Sequence, residues 1–99
     1  MPRTPRREVS VDAAYLNSPA PAYPRLSRRL GEEGRVVLRV RVLADGHAAS
    51  VEVAESSGYS RLDATALETV RDWRFLPARR GDTAIDSWLH VPVVFRLED

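Results

Sequence analysis

The segment Arg35-Val36-Val37-Leu38-Arg39-Val40-Arg41-Val42 constrains the fold more than any other part of this sequence. Val36, Leu38, Val40 and Val42 fall on one side of an extended chain, and Arg35, Arg39 and Arg41 on the other. Such alternation belongs to an antiparallel strand with one buried and one solvated face. Asp45-Gly46 follows, a hairpin dipeptide because glycine accepts positive φ without a Cβ clash. The return strand is expected over residues 48–55, with Ala49, Val51 and Val53 continuing the apolar face.

Helical signals flank this hairpin. Pro24 suits a first helical turn, where its missing N–H costs nothing, and Gly31 is a natural C-terminal stop. A short helix is therefore expected between them, with Leu26 and Leu30 on one face and Arg25, Arg28 and Arg29 towards solvent. Ser56-Ser57-Gly58 breaks the sheet. A second helix is expected from Arg61 to about Arg74, with Ser60 as N-cap and Asp63 as a weak capping-box partner. Leu62, Ala66, Leu67, Val70 and Trp73 would form its apolar stripe. Pro77 ends the element. Residues 85–97 alternate again, with Ile85, Leu89, Val91, Val93, Phe95 and Leu97 on one face. Pro92 cannot donate to a ladder, which marks this strand as an edge. The order is α-β-β-α-β. The fold expected is α+β: a two-layer sandwich with a three-stranded antiparallel sheet and two helices on one face.

A chain of 99 residues holds one such core. Five of the seven prolines lie within the first 24 residues, so residues 1–18 read as the poorly ordered end of a Pro/Arg-rich linker, with a short strand at Val9-Ser10-Val11. Residues 19–99 form the domain. There is no run of eighteen apolar residues and no signal-peptide h-region after Met1. All fifteen basic residues are Arg. Residues 1–41 hold nine Arg against four acids (+5) and residues 42–99 six against ten (−4). The near-neutral total, without exposed aromatics among the arginines, argues against nucleic-acid binding.

No constellation of catalytic or metal-binding residues stands out. The absence of cysteine removes thiolate zinc sites and a cysteine nucleophile, and His47 and His90 lack a clustered third ligand. Ser56 and Ser57 lie in ordinary turn chemistry, with no G-x-S-x-G elbow. No phosphate-binding glycine loop is present. An enzyme, a metal, a cofactor and a direct small-molecule substrate are not expected. A long edge strand can instead capture an extended peptide as an added strand.

Pro21-Ala22-Tyr23-Pro24, Gly34, Asp45-Gly46, Ser56-Ser57-Gly58, Leu62-Asp63, Trp73-Arg74-Phe75-Leu76-Pro77-Ala78 and Val91-Pro92-Val93-Val94-Phe95-Arg96-Leu97 occur in this order. Together they resemble the C-terminal domain of TonB energy transducers, over about residues 19–97. The resemblance implies a periplasmic domain, held to the inner membrane in the full-length protein by an anchor absent from this chain. It implies coupling to the proton gradient through ExbB and ExbD, which engage the missing N-terminal part. It also implies a grip on the TonB box of outer-membrane transporters for siderophores, cobalamin or other nutrients. In the family the box adds beside the last strand, near the Tyr-Pro segment. Carried onto this chain, the binding residues are His90, Val91, Pro92, Val93, Val94, Phe95, Arg96 and Leu97, with Ala20, Pro21, Tyr23 and Pro24 as the platform. Tyr23 would pack against or hydrogen-bond the peptide, or else anchor the helix start in the core. Trp73 and Phe75 read as core. The chain is expected to be a fragment of a full transducer. The alternative is an assembly module, homodimeric or TolA-like, using the same edge.

Overall fold

The computed structural model describes residues 6–11, 15–16 and 19–98. The elements in order are β1 (Arg6–Val11), β2 (Tyr15–Leu16), α1 (Arg25–Leu30), β3 (Gly34–Val42), β4 (Ala48–Glu55), α2 (Ser60–Val70), β5 (Arg74–Phe75), β6 (Ala78–Arg80), β7 (Thr83–Ile85) and β8 (Ser87–Glu98). The expected three-stranded antiparallel sheet is β8-β3-β4, and β1 joins it as a fourth strand in the order β1-β8-β3-β4. β2 pairs with β5, and β6 with β7, as separate two-stranded ribbons.

The alternation in β3 sets the layers. Val36, Leu38, Val40 and Val42 are buried and face α2, while Arg35, Arg39 and Arg41 remain exposed. Leu62, Ala66 and Val70 of α2 meet them, joined by Val91, Val93 and Phe95 of β8 and by Trp73 and Phe75. Each large apolar side chain removed from water here contributes about 1.5–3 kcal/mol before chain entropy is counted. Val37, on the arginine face, is also buried, opposite Pro92 of β8.

The return strand departs from simple alternation. Val42 pairs with Ala48 but Arg41 with Ser50, so Ala49 is the extra residue of a bulge. Ala48, not the expected Ala49, packs on the core. The bulge lets Ala48 and Val51, three residues apart, share the core face, which alternation read from sequence alone does not register.

Both helices differ in detail from expectation. α1 starts after Pro24 and ends at Gly31, which is left-handed at φ 74. Leu26 and Leu30, however, are 44% and 59% exposed, and Ser27 is the buried residue. Tyr23 enters the core four residues earlier, so Ser27 inherits its face. α2 stops at Val70 rather than near Arg74. The N–H groups of Arg71, Asp72 and Trp73 return to the carbonyls of Leu67, Thr69 and Val70, and the chain then turns into β5. Trp73 therefore reaches the core from beyond the helix.

Ser60 is not the N-cap. Tyr59 holds that position without a side-chain bond. Asp63 instead accepts from the Ser57 N–H at 2.9 Å, the Ser57 hydroxyl at 2.7 Å and the Ser56 hydroxyl. Burial acts to raise the Asp63 pKa, but these three hydrogen bonds outweigh it and hold the carboxyl below its ordinary value. The Ser57 loop lies so close to β3 that a Cβ on Gly34 would stand 2.8 Å from the Ser57 carbonyl oxygen. The hairpin tip is pinned as tightly. Gly46 has φ 91, its carbonyl accepts the Phe75 N–H at 2.9 Å, and a Cβ there would stand 2.7 Å from the Phe75 oxygen.

The expected last strand, residues 85–97, divides in two. Ile85 belongs to β7, and β8 begins at Ser87 after a break at Asp86. The Asp86 carboxylate accepts the Ala44 N–H at 3.0 Å and an Arg41 guanidinium nitrogen at 3.4 Å, tying this corner to the hairpin.

Candidate functional site

β8 runs antiparallel to β3 from the pair Gly34–Phe95 to the pair Val42–Ser87. Its side chains alternate as the sequence implies. Val91, Val93 and Phe95 are buried, Pro92, Val94 and Leu97 are half-buried, and His90 and Arg96 are exposed. Beyond Phe95, the Leu97 N–H donates to the Glu33 carboxylate, on the β3 side. Backbone direction alternates along a strand. The N–H groups of Phe95 and Val93 therefore face β3, and those of Arg96 and Val94 face the opposite edge. Pro92 falls in that second set, so its missing donor lies on the outer edge and the β3 ladder is unbroken.

That outer edge is occupied in part by the chain itself. β1 pairs antiparallel with β8 through six positions, from Arg6–Glu98 to Val11–Val93. The edge expected to be open from sequence is thus paired over residues 93–98. Among the described residues, no strand pairs with the outer edge of residues 87–92. Val9-Ser10-Val11 was legible as a short strand. Its extension to Arg6 and its partner were not, because the charges opposite Arg96 and Glu98 carry meaning only once the register is known.

Of the expected platform residues, Tyr23 is the one with a contact to β8. Pro21 and Tyr23 are buried, Pro24 is half-buried and Ala20 is exposed. The Tyr23 ring meets Phe95 edge-on, with centroids 5.4 Å apart and planes at 89°. Its hydroxyl donates to the Glu32 carbonyl. Burial raises the Tyr23 pKa, and the Glu33 and Glu32 carboxylates raise it further. Of the roles open to Tyr23, the structure displays the core anchor. Its ring supports β8 at Phe95 and its hydroxyl is engaged within the chain.

Sequence reasoning missed the group around Glu32. This buried carboxylate accepts from the Ser27 hydroxyl at 2.7 Å and from an Arg61 guanidinium nitrogen at 2.9 Å. It joins α1, the start of β3 and the start of α2. The signal was local but weak: a Ser and a Glu five residues apart across a helix-stop glycine. Trp73 Nε1 donates to the Pro19 carbonyl at 2.8 Å, which fastens the segment leading to the platform.

The arginine face of the sheet is also ordered, and it does carry an exposed aromatic among its arginines, contrary to the sequence reading. The Arg39 guanidinium lies 3.9 Å from the centroid of the Trp88 ring, which is 51% exposed, and bonds Glu52 at 3.2 Å. Among the described residues no cluster of three metal-ligating side chains occurs, and no helix is long and apolar enough to cross a membrane. The arrangement offers main-chain pairing along β8, supported by a rigid aromatic base.

The profile of the family described as Gram-negative bacterial TonB protein C-terminal matches residues 19–97. The chain belongs to that TonB family. It is 50% identical over 88 residues to protein tonB2 of Pseudomonas aeruginosa, covering 89% of this chain and 33% of that protein. It is 35% identical over 78 residues to the TonB protein of Vibrio cholerae, covering 79% and 32%. It is 43% identical over 81 residues to that of Neisseria gonorrhoeae, covering 80% and 26%. The chain thus spans a third or less of the length of these relatives. The solution NMR structure of a Pseudomonas aeruginosa TonB CTD superposes with a TM-score of 0.72 at 26% identity, covering 90% of this chain and 88% of that one. The α+β sandwich is therefore the fold of a solved TonB domain.

Proposed function

We propose that this domain is the partner-gripping end of a TonB-type energy transducer. It works in the periplasm, joined in the full-length protein to an inner-membrane anchor that engages ExbB and ExbD. It takes the TonB box of an outer-membrane nutrient transporter, of the siderophore or cobalamin class, as an added strand beside His90–Leu97. The proton gradient is thereby coupled to import. The role is binding, with no catalytic group and no cofactor.

The observation that carries the reading is the outer edge of β8, where strand pairing by main-chain groups already occurs with β1. Main-chain pairing tolerates varied side chains, which suits one domain serving several transporters. Of the platform residues, Tyr23 packs edge-on against Phe95 of the strand, while Pro21 is buried, Pro24 half-buried and Ala20 exposed.

The test uses the two edge-facing donors. Val94→Pro and Arg96→Pro together remove N–H groups on the outer edge and leave the β3 ladder intact. Calorimetric affinity for a synthetic TonB-box peptide is expected to fall by about tenfold or more, roughly the loss of one or two net hydrogen bonds. Unchanged affinity in a folded double variant would remove β8 from the site.

A further inference from the structure

The docking edge carries a strand that belongs to the chain itself. β1 covers Val93–Glu98, and the proposed docking strand is His90–Leu97, so five residues are shared. One backbone edge pairs with one strand at a time. A partner segment and β1 therefore cannot both pair with Val93–Leu97.

The register is chemically matched as well as geometrically possible. Glu8 stands opposite Arg96, and Arg6 opposite Glu98. Val9 stands opposite Phe95, and Val11 opposite Val93. Opposite charges and paired apolar residues are the combinations that stabilise cross-strand neighbours. Only residues 12–18 separate β1 from Pro19, whose carbonyl is fixed by Trp73. A tether this short holds β1 near the edge at an effective concentration on the order of millimolar.

We propose that β1 is an exchangeable cover of the docking edge. It leaves β8 before a transporter segment binds, and its occupancy sets how much of the site is available. This rests on the function proposed above. The apparent affinity for the partner is then the intrinsic affinity multiplied by the fraction of molecules with β1 released.

The test uses the full chain in three forms. The phase of β8 places the Glu8 and Ser10 N–H groups towards it, so Glu8→Pro with Ser10→Pro breaks the cover. Arg6→Cys with Glu98→Cys, a directly paired position outside His90–Leu97, locks it. The chain has no other cysteine, and a directly paired Cα separation of about 5.5 Å lies within disulfide range. Each form is titrated with a TonB-box peptide. The proline form is also titrated with a synthetic peptide of residues 1–11.

The proline form is expected to bind the TonB-box peptide at least about fivefold more tightly than the parent. The oxidised lock is expected to lose binding, and reduction to restore it. The residue 1–11 peptide is expected to shift the Val93–Leu97 amides. Equal TonB-box affinity in parent, proline and oxidised forms would overturn the cover and leave the function standing. No TonB-box binding by any form, with the residue 1–11 peptide still shifting those amides, would overturn the function and the cover's role in it. Failure of the cysteine pair to oxidise would show that β1 does not lie on this edge in solution, which also overturns the proposal. Circular dichroism melts of each form check the fold, and the lock gives an answer even if the proline form unfolds.

Discussion

Tyr23 stands edge-on to Phe95, 5.4 Å between ring centroids, and gives its hydroxyl to the Glu32 carbonyl. One side chain thus joins the Tyr-Pro segment, the approach to β3 and the terminal strand. Tyr23→Phe keeps the ring contact and leaves the carbonyl without its donor. It is expected to cost about 1 kcal/mol in urea unfolding. Tyr23→Ala also empties the space under Phe95 and is expected to cost about 3–5 kcal/mol.

The Glu32 carboxylate supplies a second prediction. It is buried and takes hydrogen bonds from Ser27 and Arg61. Ser27→Ala is expected to cost about 1–2 kcal/mol and Glu32→Ala about 2 kcal/mol or more. The double variant should cost less than the two together, because the partners share one contact. Chemical denaturation of the four forms completes this cycle, and strict additivity would show that the pair is uncoupled.

Glycines 46 and 81 separate crowding from backbone strain. Both have positive φ, 91 and 62. A Cβ on Gly46 meets the Phe75 carbonyl at 2.7 Å, whereas none of the surroundings of Gly81 lies within 4 Å. Gly81→Ala is expected to cost about 1 kcal/mol from conformation alone. Gly46→Ala adds displacement of β5 and is expected to cost about 2 kcal/mol or more. Equal melting temperatures for the two variants would contradict this packing of the hairpin tip.

Asp63 gives the fold an acid-sensitive corner. Its carboxyl pKa is lowered in the folded chain from the ordinary 3.8, since the bonds from Ser56 and Ser57 outweigh its burial. A depressed folded pKa stabilises above the unfolded pKa, and that contribution fades as pH falls through the folded value. Melting temperature should therefore decline below about pH 4. Asp63→Asn should flatten that part of the profile. A parallel profile for the variant would mean that other carboxylates carry the acid response.

The hairpin and β8 were legible because each has one buried face over many residues. Val36, Leu38, Val40 and Val42, then Val91, Val93 and Phe95, repeat every second position, and a one-residue slip would expose every one of them. Leu62, Ala66 and Val70 were legible in the same way at helical spacing. The buried face of α1 was not. A six-residue helix offers too few positions for its pattern to choose a face, and the choice fell to Tyr23 against Phe95 and to Glu32, which joins Ser27 to Arg61. The bulge at Ala49 shows only in the pairing of β4 with β3, and the end of α2 at Val70 only in the turn bonds of residues 71–73. The β8 strand of the candidate site could be read from residues alone, whereas its pairing with β1 required the register.

The most direct test is an NMR titration of the isotopically labelled full chain with a TonB-box peptide from a transporter of the same organism. Amide shifts concentrated in His90–Leu97 are predicted, with loss of the β1 pairing at Glu8 and Ser10 at the same peptide concentration. Peptide-dependent shifts confined to other surfaces, or none at ~1 mM peptide, a ceiling that still detects weak complexes, would contradict strand addition at β8.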